Sequence, residues 1–349
     1  MPGSATLVFS EPEDFEAALR PEGYLGLWVT GGGRFRARLT RVALHYLRLS
    51  TAEEQLSRIA FVAVPADMVM MSFPIGTGTG PVYGGIAMRA GEIVMLGPGR
   101  HVYARTHGPC RWGAVWLPVK ELIRYGGALT GTPFAVPPIA QRWRPPPSAI
   151  KGLQRLHAAA MRMAEIHPKP LVDPETAHGL EQQLINAMVE CLSAGSVGEG
   201  TVAARRHQEI MVAFERLLGT HPDRNVRITK ICTALGVSDR LLRDVCAEHL
   251  GMSGNRYLRL RRMSLARRAL RDANGHAASV SEIARRYGFA DPGRFAVEYR
   301  VLFGELPSAT LWRGSGREIV DFGPSRTRVR KRTSDDPLTQ INEVGEASG

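Results

Sequence analysis

Cysteine is scarce. Cys110, Cys191, Cys232 and Cys246 are the four in 349 residues, and no two form a CxxC pair. That spacing offers no zinc ligand set and no thioredoxin-like redox pair, and it gives no basis for a disulfide framework. Cys232 and Cys246 fall on apolar stripes, so reduced core thiols are expected. No apolar run approaches the length of a membrane span, so no membrane association is expected. Met1 to Ser10 lacks a basic region followed by an apolar core, so a secretory leader is not expected and the cytoplasm, close to the nucleoid, is. A nucleophile elbow, a P-loop, a dinucleotide fingerprint and a clustered metal motif are all missing, which removes the common routes to an enzyme.

Acidic residues are also in deficit, with 33 Asp+Glu against 45 Lys+Arg and a formal charge of +12. The excess is not evenly spread. Val202 to Arg313 holds 20 Lys+Arg and 11 Asp+Glu, while the remainder holds 25 and 22. A positive field concentrated in one segment points to an anionic partner there, as nucleic-acid binding requires, although charge alone does not name that partner.

That basic segment carries one pattern twice. In the first copy Ile228, Ile231, Cys232 and Leu235 make an apolar stripe, Gly236 ends the helix, and Ser238 caps the next. Leu241, Leu242, Val245 and Cys246 then face inward, leaving Asp239, Arg240, Arg243 and Asp244 outside. In the second copy Val280, Ile283, Ala284 and Tyr287 make the stripe and Gly288 supplies the left-handed turn. Asp291 caps a helix with Pro292 in its first position, and Phe295, Tyr299 and Leu302 are its buried face. Two short helices about a glycine turn read as a helix-turn-helix, and here there are two in tandem. A long helix from Ser253 to Ala273 joins them, with Arg256, Arg259 and Arg262 as phosphate-contact candidates. Arg261, Arg267 and Arg268 also stand on it, and part of this set is expected to be only a solvated face.

The other half has a different texture. Residues 1 to about 20, with acidic residues from Glu11 to Glu16, read as a loosely attached lead-in. From Tyr24 to about Pro118, short apolar runs separated by Gly and Pro predict strands at Tyr24–Val29, Phe35–Leu39, Val42–Leu49, Ile59–Val64, Met68–Phe73, Gly91–Leu96, Val102–Arg105 and Trp112–Leu117. They predict a sandwich or small barrel, filled by side chains or holding one ligand. His45 is expected on a strand as a hydrogen-bonded structural histidine. A helix over Val119–Leu129, a proline-rich connector to Pro147 and helices over Ser148–Ile166 and Pro174–Leu192 follow. The fold class is therefore a multidomain α+β chain. Its parts are residues 1–130, β-rich; 131–200, connector and helices; 201–313, all-α with two helix-turn-helix motifs; and 314–349, a disordered tail.

This order of elements resembles the AraC/XylS family of bacterial transcription regulators. The resemblance covers Val202 to Arg313 and rests on the Gly236-Val237-Ser238 turn, the Gly251-Met252-Ser253 junction, Ile283-Ala284 followed by Gly288-Phe289, and Phe303-Gly304 with Pro307-Ser308. Gly254 stands where the family usually has proline, and Pro292-Gly293 opens the second recognition helix unusually. The strands ending in Gly91 to Gly99 are similar to the cupin-like sensing domain of many members. The resemblance implies a sequence-specific regulator, an activator answering to a small-molecule effector, with double-stranded DNA and RNA polymerase as partners. It implies that the helices from Ser148 to Leu192 connect or dimerise the sensing domains. Packing within one chain is the alternative.

By the same resemblance the two recognition helices enter successive major grooves. Asp239, Arg240, Arg243 and Asp244 on the first, and Arg294, Glu298 and Arg300 on the second, are the DNA-binding candidates. No cofactor, metal or catalytic residue is expected. The competing function is a cupin-type enzyme with a basic appendage. His101 and His107, with five residues between them, lack the close histidine pair such an enzyme uses.

Overall fold

The computed structural model describes residues 3–136, 140–198, 202–219, 226–273 and 279–313. The expected disordered tail, 314–349, lies outside the described residues. The chain runs β1 (Gly3–Phe9), α1 (Pro12–Leu19), β2 (Tyr24–Val29), β3 (Ala37–Ala43), β4 (Arg48–Glu54), β5 (Arg58–Ala63) and β6 (Met68–Pro74). Then come β7 (Val82–Tyr83), β8 (Ile86–Ala87), β9 (Ile93–Leu96), β10 (His101–Arg105), β11 (Cys110–Pro118), α2 (Val119–Thr130), β12 (Gln141–Arg144), α3 (Pro147–Ile166), α4 (Pro174–Ser193) and β13 (Ser196–Val197). The helical part is α5 (Val202–Gly219), α6 (Ile228–Leu235), α7 (Asp239–Leu250), α8 (Gly254–Asp272), α9 (Val280–Arg286), α10 (Pro292–Phe303) and α11 (Pro307–Trp312).

The strands form two antiparallel sheets, ordered β1-β3-β4-β11-β6-β9-β12-β13 and β2-β5-β10-β7-β8. Side-chain alternation then builds the layers. Leu27, Ala60, Val62, Val102 and Ala104 of the small sheet face the large one and join Leu39, Ala52, Met70 and Trp112 in one core. Met71, Phe73, Met95 and Val115 point the other way, under α3 and α4. Trp28, Ile59, Phe61 and Tyr103, on the outer face of the small sheet, pack against α5, α6, α7 and α8. The run Ile59-Ala60-Phe61-Val62 is apolar without alternation because both of its faces are covered. Side chains fill the space between the sheets around Tyr24, Tyr83 and Trp112. A fully buried pair lies among them: Arg58 Nε donates to Glu54 Oε2 at 2.8 Å and Trp112 Nε1 to Glu54 Oε1 at 2.6 Å.

Several expectations need correction. The acidic lead-in is an ordered strand and helix, because α1 buries Phe15 and Leu19 and its carboxylates meet arginines of α8. The strand expected over Val42–Leu49 is broken at residues 44–47. There the buried Glu181 accepts from the Tyr46 and Leu47 amides at 2.6 and 2.8 Å. A carboxylate that satisfies two turn amides makes the bend cheap. His45 sits in that bend and is exposed, so it is neither on a strand nor buried. Within the connector, Gln141–Arg144 is a strand paired with β9. All four cysteines are buried and free, as expected of core thiols.

Candidate nucleic-acid interface

Both helix-turn-helix motifs close with the same backbone device. After α6, Gly236 has φ +63° and the Val237 amide donates back to the Cys232 carbonyl at 3.1 Å. After α9, Gly288 has φ +77° and the Phe289 amide donates to the Ala284 carbonyl at 2.9 Å. Each is the long bond of a Schellman turn, which needs a residue free of Cβ strain at the left-handed position. The second helices are capped alike. The Leu241 amide donates to Ser238 Oγ at 3.1 Å and the Arg294 amide to Asp291 Oδ1 at 3.0 Å. The sequence carried each of these signals.

Packing then decides which faces remain outside. In α7, Leu242, Val245, Cys246, His249 and Leu250 are buried, and Asp239, Arg240, Arg243 and Asp244 are exposed together. Arg243 Nη2 meets Asp239 Oδ2 at 2.5 Å, one turn back, which holds the guanidinium along the helix. In α10, Phe295, Tyr299 and Leu302 are buried, while Arg294 and Arg300 are exposed. Glu298 is half-buried and aimed at the linker helix: Arg259 Nε donates to its Oε2 at 2.8 Å and Arg294 Nε to its Oε1 at 3.0 Å. Burial opposes ionisation there, and the two arginines overcome it, so the carboxyl is held below its ordinary range. Glu298 is thus an ion-pair partner first, and its expected role as a base reader has to compete with Arg259.

The linker helix α8 divides its arginines between two neighbours. Arg256 is exposed. Arg262 donates to the Gly288 carbonyl at 3.3 Å and lies over Phe289, so it braces the second turn. Arg261, Arg267 and Arg268 point to the β-rich half. Arg261 contacts Glu215 and sits 5.3 Å over the Trp28 ring. Tyr103 of β10 and Tyr257 of α8 both donate to Glu215 Oε2, at 2.5 and 3.1 Å. Arg267, 4% exposed, pairs with Glu11 at 2.5 Å, Glu13 at 2.6 Å and Glu305 at 3.2 Å. Sequence reasoning missed this seam. Its signal was the match between the acidic run Glu11 to Glu16 and the arginines near the end of α8.

His101 and His107 are separated in role. His101 stacks on Phe61 at 5.7 Å and His107 Nε2 meets Arg105 Nη1 at 2.6 Å. Among the described residues no three His, Cys, Asp or Glu side chains gather as a metal site, and no helix is long and apolar enough to cross a membrane.

A family model described as a helix-turn-helix domain matches residues 231–313. XylDLEGF operon transcriptional activator 1 of Pseudomonas putida is 40% identical over 104 residues, covering 29% of this chain and 31% of that protein. XylDLEGF operon transcriptional activator 2 of Pseudomonas putida is 32% identical over 124 residues, covering 36% of this chain and 77% of that protein. The chain belongs to the AraC/XylS family. Against the first relatives this family member spans only about a third of their length, 31% and 32%. Among solved structures, the AraC-like transcriptional activator CuxR is similar over 76% of this chain and 95% of its own, at 16% identity and a TM-score of 0.40.

Proposed function

We propose that this AraC/XylS-family chain is a sequence-specific DNA-binding transcription regulator, acting as an activator that answers to a small molecule and engages RNA polymerase. The observation that carries the reading is the pair of capped helices, α7 and α10, each presenting exposed arginines away from its core. The linker α8 has 19 residues, about 28 Å at 1.5 Å per residue, which suits two grooves one turn apart, about 34 Å. Arg240 and Arg243 present guanidinium forks to guanine edges, and Asp244 is placed to accept from a cytosine amino group. Arg256 and Arg300 contact phosphate.

The effector would not need to enter the space between the sheets. A cleft of about 290 Å³ lies where β10 meets α5, lined by Arg100, His101, Arg205, Gln208, Glu209 and Arg216. Three arginines against one glutamate favour an anionic small molecule, and such a ligand would touch both halves of the chain. Homodimerisation through α3 and α4 would have to use their polar faces, because their apolar faces are already buried on the large sheet. Footprinting of the purified chain on the DNA beside its own gene tests the reading. Two protected major-groove segments about 34 Å apart on one face are expected, and a uniform pattern at every DNA tried would refute it.

A further inference from the structure

The centre of the outward face of α10 is apolar. At 100° per residue Val297 stands opposite the buried Phe295, Tyr299 and Leu302. Val297 is 65% exposed and Val301, one turn on, is 70% exposed. Exposed Arg294 and Arg300 flank this stripe, and Glu298 lies beyond Arg294, which it bridges to Arg259. The helix thus presents cations at its margins and no hydrogen-bonding side chain at its middle. Solvent gains nothing from two β-branched residues there, and valine is a poor helix former.

In a major groove the same arrangement has a matching surface. The apolar feature that base pairs display there is the C5-methyl group of thymine. Valine in a helix is held close to one rotamer, so contact costs it little side-chain entropy. We propose that Val297, with Val301 behind it, reads thymine methyl groups, while Arg294 and Arg300 grip the phosphates on either side. This rests on the DNA-binding reading above. Two valines flanked by exposed arginines suit a polyanion with apolar points in its groove. An apolar protein surface would leave those arginines desolvated and unmatched.

The test starts by selecting duplexes from random DNA with the full chain. Each thymine of the selected site is then replaced singly by deoxyuridine, which removes only the methyl group, and affinity is measured for the wild type, Val297→Ala and Arg243→Ala. At one or two thymines of one half-site, deoxyuridine should weaken the wild type about threefold to fivefold. Val297→Ala should show no further loss at those positions, and Arg243→Ala should keep the full loss. Equal deoxyuridine effects in wild type and Val297→Ala, or a half-site selected without thymine, would overturn the assignment and hand the valine face to a protein partner. Selection that enriches no sequence would instead overturn the DNA-binding reading itself. An unchanged thermal midpoint for Val297→Ala is expected, because the residue is exposed and packs on nothing in its own core.

Discussion

Arg267 Nη1 of α8 lies 2.6 Å from Glu13 Oε2 of α1, across 254 positions of sequence. The same guanidinium reaches Glu11 and Glu305, so one buried cation ties the first helix, the linker helix and the segment after α10. Burial would raise the Glu13 carboxyl, and Arg267 and Arg271 together hold it below its ordinary range. Removing one partner of a buried pair leaves the other charge uncompensated, which costs about 3–5 kcal/mol. Arg267→Ala should therefore destabilise the chain by about that amount in denaturant unfolding. Arg256→Ala, at an exposed position of the same helix, should stay within about 0.5 kcal/mol. Similar small losses for both would show that the seam contributes nothing.

The glycines of the loop after β2 make a second, steric prediction. A Cβ at Gly32 would lie 2.5 Å from the Val301 carbonyl oxygen, at the far end of α10. Gly32 has no left-handed φ, so alanine suits its own backbone and the clash falls on the contact between the two halves. Gly32→Ala should cost about 1–3 kcal/mol and raise hydrogen exchange at both the loop and the last turn of α10. Gly78, where an added methyl group would meet nothing within 4 Å, is the control, and Gly78→Ala should leave stability unchanged.

Acid should weaken the fold through two buried histidines. Burial pushes His157 down to about 4, against a hydrogen bond with the Ser50 carbonyl at 3.1 Å that favours the charged ring. Burial likewise pushes His249 down to about 4, with Glu248 opposing. Each ring stays neutral in the folded chain and regains its ordinary value, about 6.5, when unfolded. The unfolded state then binds more protons in that window, so stability falls as pH drops from about 6.5 toward 4. Urea midpoints measured across the window should decline, and His157→Asn should make the decline shallower. An identical slope in the variant would rule His157 out as its source.

On DNA the basic segment predicts a steep salt dependence, since each phosphate contact adds about 0.9 to the slope of log affinity against log salt. Arg243→Ala should cost about 1–3 kcal/mol on specific DNA and relax preference at one base pair. Arg300→Ala should weaken all sequences by similar factors. Binding-site selection with both variants distinguishes them, and unchanged preference at every position for Arg243→Ala would remove α7 from base reading.

The sequence by itself determined the local structure of the interface. Gly236, Ser238, Gly288 and Asp291 specify turns and caps through bonds spanning three to five residues, so their pattern is complete in the chain order. The apolar stripes of α7 and α10 likewise fixed which residues could face out. It also marked Ile59 to Val64 as a strand, without saying what covers its faces. Only the tertiary structure decided that cover, because Trp28, Phe61 and Tyr103 meet α5 and α8 from more than a hundred positions away. The same holds for the arginines of α8. Their side chains are alike in sequence, and their roles differ because Arg267 finds Glu13, Arg261 finds Glu215 and Arg259 finds Glu298, while Arg256 remains exposed. An ion pair between distant segments depends on where the fold brings them together, and no spacing along the chain encodes that.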